Sequence, residues 1–341
     1  MSDLAFVPPM EAKLVSDLPE GDGWQFEPKW DGFRCIAIKD GDAVALWAKS
    51  GKSLGRYFPE VLDFLGALPV ARVVLDGELM ISLDGVPSFD ALQQRLHPAE
   101  SRVRKLAAET PAKLIAFDLL HEGDVDWTKR PLTQRRAALE ALLAANPAPS
   151  SLRLSPVTLD ANTARGWFSE LSAELDGVIA KRRDEAYASG KRTMLKIKRT
   201  RTADCVVGGF RYLADRKEVG SLLLGLFNAA GDLDHVGFTS GLADSDRPAL
   251  TKRLEQLAGG PGFTGKAPGG PSRWSTERSA DWVPLSHELV VEVRYDQITG
   301  DRFRHGTRLE RWRPDKSPPQ CTFEQLAKPE GADAIIKATI A

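Results

Sequence analysis

Glu27-Pro28-Lys29-Trp30-Asp31-Gly32-Phe33-Arg34 sets a lysine beside an acid, a glycine and an arginine, in the pattern K-x-D-G-x-R. A lysine attacks phosphorus only as the neutral amine. With a free pKa of ~10.4, neutralising it near physiological pH costs about 4 kcal/mol. A neighbouring cation or burial lowers that cost, because both disfavour a second positive charge. Arg34 can supply the cation, and Gly32 lets the backbone approach a nucleotide closely. The same residues also spell a plain strand that leaves an exposed lysine and turns at Asp31-Gly32, so the surrounding chain has to decide.

Around this stretch the chain passes repeatedly between strand-like and helix-like segments. Residues 24–29 and 33–39 read as strands, and 43–48 as a third after the Asp40-Gly41-Asp42 turn. Phe58, Val61, Leu62, Leu65 and Leu68 share one face of a helix over about 57–68. Residues 73–81 read as a strand interrupted by Asp76-Gly77, and Ser88 caps a short helix carrying Phe89, Leu92 and Leu96. An apolar strand at 114–120 and helices at 132–145 and from Asp160 follow, and strands at 177–181 and 194–198 finish the region. Strands and helices mixed without strict alternation imply an α+β domain with antiparallel sheets over residues 1–201.

The pattern changes after Arg201. Residues 204–211, 219–227 and 233–239 read as consecutive strands, about 244–257 as a helix, and 288–298 and 308–313 as strands. A Gly- and Pro-rich loop at 259–271 separates helix from strands. Three strands, a helix and two strands is the element order of an OB-fold, a small β-barrel that often holds nucleic acid, and other small folds share it. Residues 202–316 are assigned to this second domain, and 317–341 to a C-terminal tail in which a final helix fits.

At 341 residues and 42% hydrophobic content, the chain can bury two cores. It has neither a long uncharged apolar run nor a basic-then-apolar leader, so no membrane span or secretory signal is expected. Cys35, Cys205 and Cys321 are scattered, which argues against structural zinc or a disulfide framework and fits a reducing cytoplasm. The net charge of −1 hides two basic stretches. Nine Lys or Arg stand against two acids between Lys181 and Arg201, and six against two between Arg302 and Lys316. Such clusters bind phosphate, and they also occur as plain solvated faces.

Several short motifs remain. Ser50-Gly51-Lys52-Ser53 is not the end of a P-loop, because G-x-x-x-x-G-K-[ST] needs glycine where Leu46 stands. Leu75-Asp76-Gly77-Glu78-Leu79 can aim Glu78 at a ribose hydroxyl or a hydrated Mg²⁺, and can equally be a turn with a solvated acid. Phe117, in Ala116-Phe117-Asp118-Leu119-Leu120, reads by itself as core. In Met194-Leu195-Lys196-Ile197-Lys198, period-2 alternation puts both lysines on one face, where they suit charge developing on a phosphate. Asp176-Gly177-Val178-Ile179-Ala180-Lys181 and Arg311-Trp312-Arg313-Pro314-Asp315-Lys316 complete the set.

In this order, across roughly residues 27–316, the motifs resemble those of the ATP-dependent DNA ligases, whose superfamily includes mRNA capping enzymes and RNA ligases. The resemblance implies that Lys29 attacks the α-phosphorus of ATP and carries AMP, with Lys196 and Lys198 as catalytic partners. It implies that Glu27 reads the adenine amino group, that Phe117 stacks on the base, and that Arg34 and Lys181 contact the nucleotide. Glu78 is implied as a ribose or metal contact. Asp176 falls where the family usually has a glutamate metal ligand and is one methylene shorter, while Lys49 falls where arginine is usual. Arg313, Asp315 and Lys316 match the R-x-D-K element and are expected to act in the first step only, with Arg302 and Arg304 on DNA phosphates.

The implied protein is an ATP- and Mg²⁺-dependent ligase that seals 5′-phosphate/3′-hydroxyl breaks in duplex DNA, in repair. It is expected to be a cytoplasmic, nucleoid-associated monomer, helped by a DNA-end-binding or repair protein. ATP is expected over NAD, because NAD-dependent ligases carry an extra N-terminal domain and a cysteine zinc site, and neither is expected from this sequence. With about 26 residues before the first motif, the large N-terminal domain of replicative eukaryotic ligases is not expected either. An RNA ligase, a capping guanylyltransferase and a non-catalytic DNA-end-binding protein are the alternatives. Serving first the nucleotide and then the duplex, the second domain would rotate about a hinge near residues 199–204.

Overall fold

The computed structural model describes residues 5–145, 151–169, 175–198, 201–269, 281–296, 298–304, 306–326 and 339. The chain divides into two compact units, with the boundary between Arg199 and Thr200 and the second unit ending at Lys328.

The first unit opens with β1 (Glu11–Val15), β2 (Trp24–Lys29), β3 (Phe33–Asp40), β4 (Ala43–Ala48), α1 (Pro59–Gly66) and β5 (Arg72–Met80). A two-residue hairpin, β6 (Ser82–Leu83) and β7 (Val86–Pro87), leads to α2 (Phe89–Gln94) and α3 (Glu100–Glu109). Then come β8 (Lys113–Glu122), β9 (Val125–Asp126), α4 (Leu132–Ala145), β10 (Leu152–Leu154), α5 (Ala161–Ser169), β11 (Gly177–Arg182) and β12 (Arg192–Lys198). Two sheets result, in the orders β1-β12-β11-β2 and β10-β8-β5-β3-β4, with β9 beside β8. Their pairings are antiparallel except β1 with β12 and β10 with β8.

Alternation along the strands supplies the cores. Cys35, Ala37, Leu75, Leu79, Leu119 and the inward side chains of α1 form one cluster. On the other face, Ile36, Ile38, Val74 and Leu120 meet Met10 and Met194, so side chains from both sheets share a layer. Ser88 and Asp160 act as the expected caps: Ser88 accepts from the Ala91 amide, and Asp160 accepts from the amides of Asn162 and Thr163. Asp76-Gly77, expected to interrupt its strand, instead makes a bulge against β8 inside a continuous β5. Gly77 lacks the Cβ that would press on the Ile115 carbonyl, which lets the strand pass.

The second unit is built on β13 (Arg201–Tyr212), β14 (Val219–Phe227), β15 (Leu233–Thr239), α6 (Arg247–Glu255), β16 (Val283–Pro284) and β17 (Val290–Tyr295). The β18 (Ile298–Thr299) and β19 (Arg302–Phe303) hairpin and β20 (Arg308–Trp312) follow. Its sheet runs β15-β14-β13-β17-β20. The expected order of three strands, a helix and two strands is therefore present. A single parallel bridge from Thr239 to Thr307 links the two sides, and among the described residues no continuous ladder closes a barrel.

Residues 317–326, assigned to a tail by the sequence, pack on this unit. The Phe227 amide donates to the Cys321 carbonyl, and the Gln325 side chain accepts from the Asp204 amide. The expected final helix falls in 327–341, of which only Thr339 is described. Of the residues expected to form a hinge, Arg201–Asp204 pair with β17. Its other residues, 199 and 200, lie outside those described. Among the described residues no helix is long and apolar enough to cross a membrane.

Candidate active site

Lys29 ends β2 and stands opposite Gly177, which also stands opposite Lys198 of β12. Gly177 has a φ of +143°, and a Cβ there would collide with the Ile197 carbonyl. Only glycine therefore lets β11 run close between the two lysine strands. The preceding residue, Asp176, donates its amide to the Lys29 carbonyl at 3.1 Å, which fixes its backbone. Its Oδ2 lies 2.5 Å from Lys29 Nζ and 3.4 Å from Lys198 Nζ. Lys196 shares the face of Lys198; its pKa is lowered by burial, and further by the charges on Lys198 and Lys29.

Glu27 lies two residues before Lys29 on the same face of β2. The residue is 2% exposed, and its carboxylate accepts from Lys181 Nζ at 2.8 Å and from Gln25 Nε2 at 2.9 Å. The Lys181 amine and the Arg34 guanidinium lie 4.6 and 4.4 Å from the centre of the Phe117 ring, within cation–π range. Arg34 is held by Asp76 through two hydrogen bonds of 2.6 Å, and Asp76 also accepts from the Tyr187 hydroxyl at 2.6 Å. Arg34 is thus tied to Asp76, while the amines of Lys196 and Lys198 are the cations gathered with Lys29. Glu78 accepts from the Gly32 amide at 3.1 Å, and burial pushes its pKa up to about 7 against the pull of Arg34 and Lys29.

A cavity of about 180 Å³ opens among these groups. Glu27, Lys29, Arg34, Glu78, Phe117, Lys181 and Lys196 line it, so seven of the expected first-unit residues converge. Asp176 joins through its contact with Lys29, and Lys198 through its contact with Asp176, rather than as lining. Sequence reasoning missed Asp76 and Tyr187, whose contacts span 42 and 111 residues and leave no local pattern. It also missed Met10 and Trp30 in the lining. Among the described residues no three His, Cys, Asp or Glu side chains cluster as a ready metal cage. Two separate carboxylates, Glu78 and Asp176, suit Mg²⁺, which takes one or two carboxylates and completes its shell with phosphate oxygens and water.

Within the second unit, Arg313 Nη1 and Lys316 Nζ converge on Asp204, at 2.7 and 3.2 Å. The other edge of the Arg313 guanidinium binds Asp315, whose pKa that hydrogen bond pulls down to about 2. Arg302 donates to His235 Nδ1 at 2.9 Å, and His235 is pushed down to about 3 by burial and then by Arg302 and Arg211. Arg304 follows directly after the β18–β19 hairpin.

A cavity lined by an aromatic ring, separate carboxylates and several amines suits an enzyme that handles a nucleotide. Residues 9–198 match the ATP dependent DNA ligase domain and 215–316 the ATP dependent DNA ligase C terminal region, so the chain belongs to the ATP-dependent DNA ligases. It is 44% identical over 339 residues to DNA ligase C of Mycobacterium tuberculosis, covering 95% of this chain and 94% of that one. Identity is 32% over 308 residues with the multifunctional non-homologous end joining protein LigD of Mycobacterium bovis, covering 88% of this chain and 37% of that one. In fold, the chain is similar to a solved Lig E DNA ligase, with a TM-score of 0.56, 17% identity and coverage of 90% of this chain and all of that one (100%). Membership in this family favours DNA sealing over the RNA ligase, capping and binding-only alternatives.

Proposed function

We propose that this ligase seals 5′-phosphate/3′-hydroxyl breaks in duplex DNA by carrying AMP on Lys29. The supporting observation is that Lys29 lines a cavity shared with Glu27, Phe117 and Lys181, with Asp176 against its amine and Lys198 against the same Asp176 oxygen. In the first step the neutral amine attacks the α-phosphorus of ATP. An N–P bond forms, the P–O bond to pyrophosphate breaks, and Lys29 loses a proton. Lys196 and Lys198 offset the negative charge that grows on the α-phosphate oxygens. Phe117 stacks on the base, Glu27 accepts from its amino group, and Arg34 and Lys181 hold the nucleotide.

Glu78 and Asp176 would hold Mg²⁺, which supplies charge neutralisation at the phosphates. Arg313 and Lys316 orient the departing pyrophosphate in this step. In the second step an oxygen of the DNA 5′-phosphate attacks the AMP phosphorus and displaces Lys29. The 3′-hydroxyl then attacks the adenylated end, sealing the strand and releasing AMP. Arg302 and Arg304 contact DNA phosphates during the last two steps. The second unit serves the nucleotide first and the duplex afterwards, turning about a hinge near residues 199–204. The enzyme works in repair as a monomer in the cytoplasm, where a partner that holds DNA ends assists it.

The test is incubation with Mg²⁺ and ATP labelled on the α-phosphate, followed by denaturation and a search for labelled protein. An acid-labile adduct from ATP, absent with GTP and in Lys29→Ala, is expected, and it should chase onto nicked DNA. An unlabelled protein that still binds DNA ends would overturn the proposal in favour of a binding protein.

A further inference from the structure

We infer that Gln25 is a positioning residue that sets the choice of purine, by fixing the carboxylate that reads the base; the inference rests on the ATP-dependent reaction proposed above. Gln25 does not line the cavity. It sits behind Glu27 on the same face of β2 and is 4% exposed. Its Nε2 donates to Glu27 Oε1 at 2.9 Å, and Lys181 donates to Oε2 at 2.8 Å. The strand register explains the pairing. Lys181 stands directly opposite Gln25, and its amine crosses to the neighbouring Glu27.

Each carboxylate oxygen therefore has one protein donor and keeps lone pairs for a ligand. At purine carbon 6, adenine offers an amino donor, whereas guanine and hypoxanthine offer a carbonyl acceptor. A carboxylate that only accepts favours the first and repels the second. The terminal torsion of a glutamate is soft, so one donor alone leaves the carboxylate plane free to turn. Lys181 holds one oxygen, and Gln25 supplies the second hold. It is an amide, so it donates without adding a charge that would compete with the base for Glu27.

Adenylation should be measured as kcat/KM with ATP and with purine riboside triphosphate, which carries hydrogen at carbon 6, using inosine triphosphate as a third substrate. In the wild type, loss of the amino group should cost about tenfold, as expected for a hydrogen bond to a charged acceptor. Gln25→Met keeps the bulk and removes the donor. It should lose about tenfold with ATP but at most about twofold with the analogue, so the preference for the amino group collapses. Gln25→Glu, which keeps the shape, should collapse it too, and discrimination against inosine triphosphate should narrow in both. Equal losses with ATP and the analogue would reveal a packing role and overturn the inference, as would variants that keep the full preference. A wild type that forms no adduct with ATP would instead remove the underlying reaction, a result distinct from either.

Discussion

Asp176 draws the amines of Lys29 and Lys198 to a single carboxylate oxygen, 2.5 Å from one and 3.4 Å from the other. Lys196, its pKa lowered by burial and then by the charges on Lys198 and Lys29, adds a third amine to the patch that the proposed mechanism gives to the triphosphate. Asp176 offsets part of their mutual repulsion before the nucleotide arrives. Asp176→Asn keeps the shape and removes that charge. Its single-turnover adenylation should fall about 100-fold, in the range seen when one preorganised electrostatic group is lost. Asp176→Glu, the residue more usual in the family, should stay within about tenfold of wild type. Full activity in Asp176→Asn would take this residue out of the chemistry.

Glu78 gives the protein a pH signature. Its pKa is raised by burial to about 7, so the folded chain binds this proton more tightly than the unfolded chain does. The stability it contributes is complete below the ordinary glutamate value of 4.5 and is lost as pH rises through about 7. Glu78→Gln retains an acceptor for the Gly32 amide and carries no charge. It should unfold at higher denaturant than wild type at pH 8, by on the order of 1–2 kcal/mol, with the gap narrowing towards pH 5. A gap independent of pH would contradict the burial argument.

Gly177 makes a purely steric prediction. Its φ of +143° and its approach to the Ile197 carbonyl exclude a side chain. Gly177→Ala should lose about 1–3 kcal/mol of stability. It should also slow adenylation, since Lys29 and Lys198 both stand opposite this residue. Thermal unfolding together with the adduct assay would check both effects. A variant that is stable yet slow would place the whole cost in the site.

The R-x-D-K element permits the steps to be separated. Arg313→Ala should reduce lysine adenylation about 100-fold, as for other clamps on a transferring phosphoryl group. Sealing of a nick that already carries AMP should change by less than about threefold, in keeping with loss of an exposed charge contact. Equal losses in both assays would show that Arg313 also serves the duplex.

How much of this was legible in the sequence depended on whether the signal was local. β2, β4, α4, β14 and β15 have the bounds that alternation or helical periodicity implies. β1 was missed because it is a short edge strand whose partner, β12, lies some 180 residues away, as the pairing of Glu11 with Arg192 shows. α3 was missed because its sequence, ESRVRKLAAE, buries only Val103 and Ala107 and otherwise faces water. The cavity residues are legible through the resemblance to the ligase motifs; read without it, Phe117 is core. Asp76 reads as an interruption of its strand because nothing nearby in the chain discloses that it clamps Arg34. Burial of an acid becomes visible only when its distant cation does.

Asp204 gives Arg313 and Lys316 an anion to bind inside their own unit. Moving those cations onto a phosphate would therefore exchange one anionic partner for another, and at no point would bare guanidinium and ammonium groups have to be created. Such a swap leaves neither cation without an anionic partner, and its direction follows from which state the bound ligand favours. On the proposed mechanism the same acid would act as a placeholder once pyrophosphate has gone, keeping the pair from lingering on the product.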